Sequence, residues 1–316
     1  MTQRPMTFSP LLPDRSPWLP LRSALLAMQA RKPERFLYVP NEGNAGDALI
    51  ATGSWQFFDD LGIRPRYATL RDIRAGDAVL YGGGGNLVPE YQSCQWFLER
   101  CKAVDVDSAL VMPQTIRGHD ALLASLDPRF TLVCRDVAST ERVNRTCTEA
   151  RVLFTPDMAL YVDVPRLFAQ CDQYKGFRFW ARMAHHDRLL PYLRWRAALG
   201  RRSAPRNGKL SMMRVDAEAA GEAGTRWWDL SHLYGSRFPM REESDLVSRD
   251  FLRFFRQLNH VRTNRLHAGV AAALMGCEVS YLDNSYGKIR AVYDAWMHHL
   301  PKVNFEQPVP AQGVAA

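Results

Sequence analysis

The chain has 316 residues, 47% of them hydrophobic, which is enough apolar side chain for a core divided between two medium domains; interspersed charges and frequent aromatics exclude long disorder outside the tails. A formal net charge of +8 invites a polyanionic partner. No helix-turn-helix, RNA-recognition or zinc-finger pattern accompanies that charge, so nucleic acid is set aside in favour of phosphorylated small substrates or an anionic membrane surface.

Residues 1–20 are rich in proline and lack the charged start and continuous apolar stretch of a signal peptide, and no later run of about 20 apolar residues could span a bilayer. The expectation is a cytoplasmic protein. The six cysteines form no CxxC pair and no Cys/His cluster of zinc-ligand spacing, which predicts reduced thiols and no metal site.

Residues 1–30 read as an N-terminal extension ending in a helix over 21–30. A short apolar strand at 35–39 leads through the glycine-containing turn 41–47 into a helix over 48–61. The order recurs. A strand at 78–81 enters the four glycines 82–85 and then a helix at 90–103; a strand at 108–112 enters Pro113 and Gln114; a strand at 130–134 enters Arg135 and a helix carrying Ser139. Short apolar strands alternating with helices predict a doubly wound α/β domain over 31–165, with a parallel sheet whose ligand sits beyond the carboxyl ends of the strands.

Over 166–205 basic and aromatic residues interleave, and this stretch reads as a linker or insert. Leu189, Leu190, Leu193, Trp195 and Leu199 can share a helical face there, either as part of a solvated linker helix or as a dock on anionic lipid. A strand at 210–215, helices at 244–258 and 266–275 and a strand at 277–282 predict a second α/β domain over 206–300, followed by a tail at 301–316.

The unusual residues fall at predicted strand ends. In the turn NEGNAGD (41–47) glycines let the backbone approach a ligand, while Asn44 and Asp47 stand where a helix cap is equally expected. A carboxylate there repels phosphate, so the functional partner of Asp47 would be an acceptor hydroxyl or a proton in transit. Gly84, Gly85 and Asn86 follow a strand directly and bring backbone N–H groups close to a ligand; the missing Gly-Lys-Ser/Thr argues against a P-loop nucleotide site. Arg135 and Ser139 could belong to a salt-bridged helix start, and Asp157 could begin a turn, but all lie where a ligand would sit. The densest constellation is RTNRLH (262–267), which places Asn264, Arg265, His267 and free backbone N–H groups at one helix N-terminus. The field of roughly half a unit charge there adds to the guanidinium as an anion site. His267 could instead be structural, and Lys288 adds a cation from the loop after the next strand.

Taken together, NAGDALI (44–50), YGGGGN (81–86), MPQ (112–114), CRDVAS (134–139), PDMAL (156–160), TNRLHAG (263–269) and LDNSYGK (282–288) resemble the polysaccharide pyruvyl transferase family, in that family's order. The subset most alike is the ketal-pyruvate transferases of bacterial exopolysaccharide assembly. The resemblance implies two Rossmann-like domains facing each other across a cleft in a glycosyltransferase-B-like arrangement. It also implies phosphoenolpyruvate as donor substrate with no further cofactor, and a saccharide acceptor that is lipid-linked at the inner face of the membrane. Within it, Arg265 and His267 are implied to bind phosphoenolpyruvate, Arg135 to be an anion contact of the first domain, and Asp47 to be the Asp of a Gly-Asp element. Arg214 and Asp216 resemble the piece that opens the second domain, with Glu218 close behind. Asn44, Gly84, Gly85, Asn86, Gln114, Ser139, Asp157, Asn264, Asn284, Ser285 and Lys288 lie in or beside these motifs as further candidate substrate contacts.

Ketal formation from an enol phosphate needs a proton donor, an acceptor for hydroxyl protons and fixed cations around phosphate. The matching expectation is His267 as general acid or phosphate ligand, Arg265 and Lys288 as clamps, and Asp47 as a base near the acceptor. Two other readings use the same residues: a sugar-nucleotide glycosyltransferase, and a non-catalytic regulator that binds saccharide or nucleotide. Donor binding separates the first, and product formation the second.

Overall fold

The computed structural model describes residues 10–31, 35–220, 224–235 and 239–306. The expectations for 1–9 and 307–316 lie outside these residues. In chain order the elements are α1 (Leu19–Arg31), β1 (Phe36–Val39), α2 (Ala45–Asp60), β2 (Arg66–Tyr67), β3 (Ala78–Tyr81), β4 (Gly84–Leu87), α3 (Ser93–Ala103), β5 (Ser108–Ile116), α4 (Asp120–Ala124), β6 (Phe130–Cys134), α5 (Val137–Thr146) and β7 (Arg151–Phe154). They continue as α6 (Val164–Gln173), α7 (Phe177–His185), α8 (Leu189–Gly200), β8 (Lys209–Met212), α9 (Arg241–Phe255), β9 (His260–Thr263), α10 (Leu266–Leu274), β10 (Glu278–Tyr281), α11 (Lys288–Trp296) and β11 (Val303–Phe305).

The fold is α/β with two parallel sheets. The first runs β2-β1-β3-β5-β6-β7, with β4 paired to the far half of β5; the second runs β11-β10-β9-β8. In the first sheet the order reverses beside β1, so the loops leaving β1 and β3 part and open a crevice at the carboxyl edge. The inner strands β1, β3 and β5 are buried on both faces. Alternation sends Phe36, Tyr38 and Leu80 into one core and Leu37, Val39 and Val79 into another. The core holding Tyr38 continues without a break to Met212, Val261 and Val279 of the second sheet.

Helix α2 carries that continuity. Asn44 caps it by accepting from Gly46 N at 2.8 Å, and Asp47 returns the favour to Asn44 N at 2.8 Å, so the capping expectation holds. Trp55 and Phe58 pack edge-on against Tyr38 of β1, while Thr52 donates to Asp245 at 3.0 Å on α9.

Four expectations are corrected. The glycine run is partly a strand: Gly84 and Leu87 pair with Gln114 and Ile116, and β5 runs on through Pro113 to Ile116 rather than ending at 112. Its register shifts between Val111 and Gln114, and such an irregularity accommodates a proline with no N–H to donate. Four further strands escaped the sequence: β2, which is only two residues long, and β7, β9 and β11. β7 has no buried face to alternate, β9 (HVRT) mixes polar with apolar, and β11 lies in the supposed tail, where it pairs with β10. The stretch 166–205 is no linker but helices α6, α7 and α8, with Tyr192 donating to Asp250 of α9 at 3.0 Å and Trp195 packed against Phe251. Nor do the α8 residues share a face: Tyr192, Trp195 and Leu199 point inward at helical spacing, which leaves Leu190 and Leu193 outside.

All six cysteines are buried and free. Among the described residues no helix is long and apolar enough to cross a membrane.

Candidate active site

A cleft of roughly 680 Å³ opens where the carboxyl edges of the two sheets meet. From the first half come the turn after β1 (Asn41 to Asn44), Asp47, Gly85, Asn86, Tyr91 and Arg135; from the second come Arg214, Asp216, Glu218, Ser231, His232, Arg265, His267 and Lys288. Asp47, Arg135, Arg214, Arg265, His267 and Lys288 stand at a strand end or a helix start, where the chain turns and backbone groups are free.

On the first side the floor is built by amides. Gln114 donates to Gly82 O at 2.9 Å and Asn86 Oδ1 at 3.1 Å, and accepts from Asn86 N at 3.2 Å, which pins the glycine run against β5. Gly84 has φ +146°, and a Cβ there would stand 2.6 Å from Asn41 Nδ2 and 3.4 Å from Asp47 Oδ1, so only glycine fits behind that carboxylate. Burial pushes the Asp47 carboxyl above its ordinary value, against the pull of His267, the Asn44 N–H, Lys288 and Arg135.

Arg135 is fully buried at the end of β6. It donates through Nε to Thr115 at 3.0 Å and through Nη1 to Asp157. Asp157 also accepts from Ala159 N at 2.7 Å and lies 3.3 Å from His267 Nε2. Burial opposes its ionisation, but Arg135 and His267 outweigh burial and hold Asp157 well below the usual carboxylate range. The imidazole is thus held from behind by a permanent carboxylate, and it packs on the first turn of α2, where a Cβ on Gly46 would stand 2.9 Å from Nδ1.

The second side is a network of paired charges. Arg265 holds Asp229 through Nε (2.9 Å) and Nη2 (2.5 Å), and Nη2 also reaches Asp216 at 2.8 Å. Arg214 grips Asp216 at 2.7 Å and Glu218 at 2.6 Å. Glu218 Oε2 accepts further from Lys288 Nζ at 2.5 Å and Asn284 Nδ2 at 3.1 Å. Burial raises Asp216 and Glu218, but the adjoining cations win and leave Asp216 at about 2 and Glu218 below its ordinary value. Burial, with Arg214 and Arg135 nearby, pushes Lys288 down to about 8 despite Glu218.

The two sides meet over Gly85. A Cβ on that residue would stand 2.9 Å from Arg135 Nη2 and 3.4 Å from Lys288 Nζ, so a guanidinium from one half and an ammonium from the other approach across a bare backbone. Two cations at that spacing have the charge and geometry to take a compact polyanion, and Asp47 and His267 stand beside them as groups able to carry protons.

Asn44, Asp47, Gly85, Asn86, Arg135, Arg214, Arg265, His267 and Lys288 therefore share one cleft. Gln114, Ser139 and Asp157 stand behind it: Ser139 Oγ accepts from Ile116 N at 2.8 Å, and Gln114 and Asp157 are committed to the bonds above. Asn264 accepts from Arg214 N at 2.7 Å, Asn284 accepts from Lys288 N at 2.9 Å, Gly84 backs Asp47, and Ser285 is exposed; none of these four lines the cleft. The sequence did not point to Glu42, Tyr91, Ser93, Ser231, His232 and Tyr234 on the wall, nor to Asp229 beneath Arg265. Tyr91 and Ser93 stood inside an expected helix that in fact begins at Ser93, and residues 213–240 carry no periodic pattern to single out Asp229.

In overall shape the chain is similar to the crystal structure of a functionally uncharacterised protein, KP1_0663, from Klebsiella pneumoniae, with a TM-score of 0.69 at 24% identity, covering 92% of this chain and 98% of that one. In sequence it is 25% identical over 291 residues to the Bacillus subtilis (strain 168) protein named "Putative pyruvyl transferase EpsO", covering 85% of this chain and 86% of that protein. The family profile described as "Polysaccharide pyruvyl transferase" matches residues 44–212, more than half of the chain and all of the first wall of the cleft from Asn44 onward, so the chain belongs to the polysaccharide pyruvyl transferase family.

Proposed function

We propose that the protein transfers pyruvate from phosphoenolpyruvate to two hydroxyls of a sugar in an exopolysaccharide precursor, forming a ketal and releasing phosphate. The observation that carries this reading is the meeting of Arg135 and Lys288 over Gly85 beside His267, in a chain of this family. On this reading the two sheets belong to two Rossmann-like domains, 31–165 and 206–306, the second reaching past 300 to take in β11, that face each other in a glycosyltransferase-B-like arrangement. The donor lies between them.

The reaction adds a proton to the donor's methylene carbon, forms two C–O bonds to the adjacent carbon and breaks the bond from that carbon to the phosphate oxygen. Of the two hydroxyl protons lost, one balances the new methyl group and the other leaves with phosphate. Arg135 and Lys288 neutralise the phosphate before and after the C–O bond breaks, at a site already shielded from water. His267, oriented by Asp157 at 3.3 Å from its Nε2, is the proton donor, and Asp47 takes a proton from an acceptor hydroxyl. Arg265 is held by Asp229 and Asp216, so its role is to orient the carboxylate end of the donor and the start of α10. The acceptor enters past Tyr91, Ser93 and His232 on the open side.

Thermal unfolding tests the donor. Phosphoenolpyruvate should raise the Tm of the wild type and raise that of Lys288→Gln clearly less at the same concentration, while sugar nucleotides do nothing. Stabilisation by a sugar nucleotide instead would replace pyruvyl with glycosyl transfer.

A further inference from the structure

Residues 175–209 carry ten Lys or Arg and a single acid, Asp187, so this stretch by itself exceeds the +8 of the whole chain. Its structure sorts those charges. Arg182, Arg188 and Arg196 are spent on Glu242, Glu243 and Asp250 of α9 and its first turn, whereas Arg194 and Arg201 form no ion pair among the described residues and are exposed. Arg194 and Arg201 share one side of α8 with Leu190, Leu193 and Ala197, opposite the buried Tyr192, Trp195 and Leu199. Leu190 and Leu193 are 56% and 46% exposed, and Phe177, which opens the neighbouring α7, is 87% exposed. Nearby, Arg202 lies over the half-exposed Trp227 ring at 4.2 Å. Solvent alone gives no reason for aliphatic and aromatic side chains to stand out beside unpaired arginines.

We infer that this side of α8 rests in the plane of an anionic lipid bilayer. The arginines meet lipid phosphate, and the leucines enter the acyl boundary, as in a helix that lies on a membrane without crossing it. The surface is continuous with the cleft. Trp195, on the inner side of the same helix, packs against Tyr234 with ring centroids 6.0 Å apart, and Tyr234 lines the cleft together with Ser231 and His232. One wall thus has membrane on its outside and the acceptor entrance on its inside, which deepens the proposed reaction by placing an acceptor carried on lipid within reach.

Flotation of the full chain with lipid vesicles tests this without donor or acceptor, so its failure leaves the pyruvyl-transfer reading intact. The wild type should float with phosphatidylcholine vesicles that contain phosphatidylglycerol and not with phosphatidylcholine alone. Arg194→Gln/Arg201→Gln should partition about thirtyfold more weakly, and Leu190→Ser/Leu193→Ser about tenfold more weakly. Both variants change only exposed side chains and should keep the wild-type Tm. Absence of flotation with the anionic vesicles, or equal flotation with neutral ones, would overturn the inference. A leucine variant that binds like wild type while the arginine variant does not would also overturn it, assigning the patch to a soluble polyanion or an acidic protein.

Discussion

On the first side of the cleft one guanidinium, Arg135, is fixed by one carboxylate, Asp157; on the second side Arg214, Arg265 and Lys288 share Asp216, Glu218 and Asp229. The first arrangement is buried and closed in by Thr115, Ala159 and His267, so it holds Arg135 in a single place. The second can re-pair: a dianion that draws Lys288 away leaves Glu218 still held by Arg214 and Asn284. The difference separates a rigid reference point from an adjustable clamp, and each can be broken separately.

The largest effect is expected at the rigid side. Asp157→Ala strands the buried Arg135 and should destabilise the fold by about 3–5 kcal/mol in denaturant titration; a loss under about 1 kcal/mol would mean that Arg135 finds water or another partner. Gly85→Ala acts at the meeting point itself. Its methyl group would crowd the fixed Arg135 Nη2, so phosphoenolpyruvate binding should fall by about a hundredfold, with a modest drop in Tm where that guanidinium must give. Unchanged binding would move the donor elsewhere in the cleft.

At the adjustable side, Lys288→Gln should weaken donor binding by about tenfold to a hundredfold. The lysine titrates at about 8, so its positive charge is present below that pH and is lost as pH rises through it. Donor affinity should therefore fall above about pH 8 in the wild type, and Lys288→Arg should flatten that limb. For folding the sign is opposite. The depressed value means that the charged form is disfavoured in the folded state, so the associated penalty is present below about pH 8 and is relieved as pH rises toward the ordinary 10.5. The smallest effect belongs far from the cleft: Asp294→Ala removes a half-exposed, solvent-screened pair with Arg290 and should leave the Tm unchanged within error.

The first sheet was more legible than the second. Its apolar strands FLYV, AVLY and FTLVC announce themselves, and the residues after them, Asp47, Gly85 and Arg135, could be named from position alone. The second sheet is made of strands such as HVRT and VNF, whose burial on neighbouring residues is incomplete and whose pairing is settled by α10 and α11 packing on them. Side-chain pairing was the other hidden layer. Arg265 and His267 stood out as an anion motif, but Asp229 and Asp157, which hold them, lie 36 and 110 residues away in sequence. Gln114 and Ser139 had the right position and the wrong depth: Gln114 lies within the extended β5, where a one-residue change in register decides which way it faces, and Ser139, in the first turn of α5, turns back onto Ile116 N.

The central claim is tested most directly by incubating the protein with phosphoenolpyruvate and a lipid-linked saccharide fraction, then measuring free phosphate and the mass of the acceptor. The account predicts one phosphate released for each ketal-bound pyruvate on the acceptor, with both products lost in His267→Gln at unchanged Tm. Phosphate without modified acceptor, or an acceptor modified only when a sugar nucleotide is supplied, would contradict it.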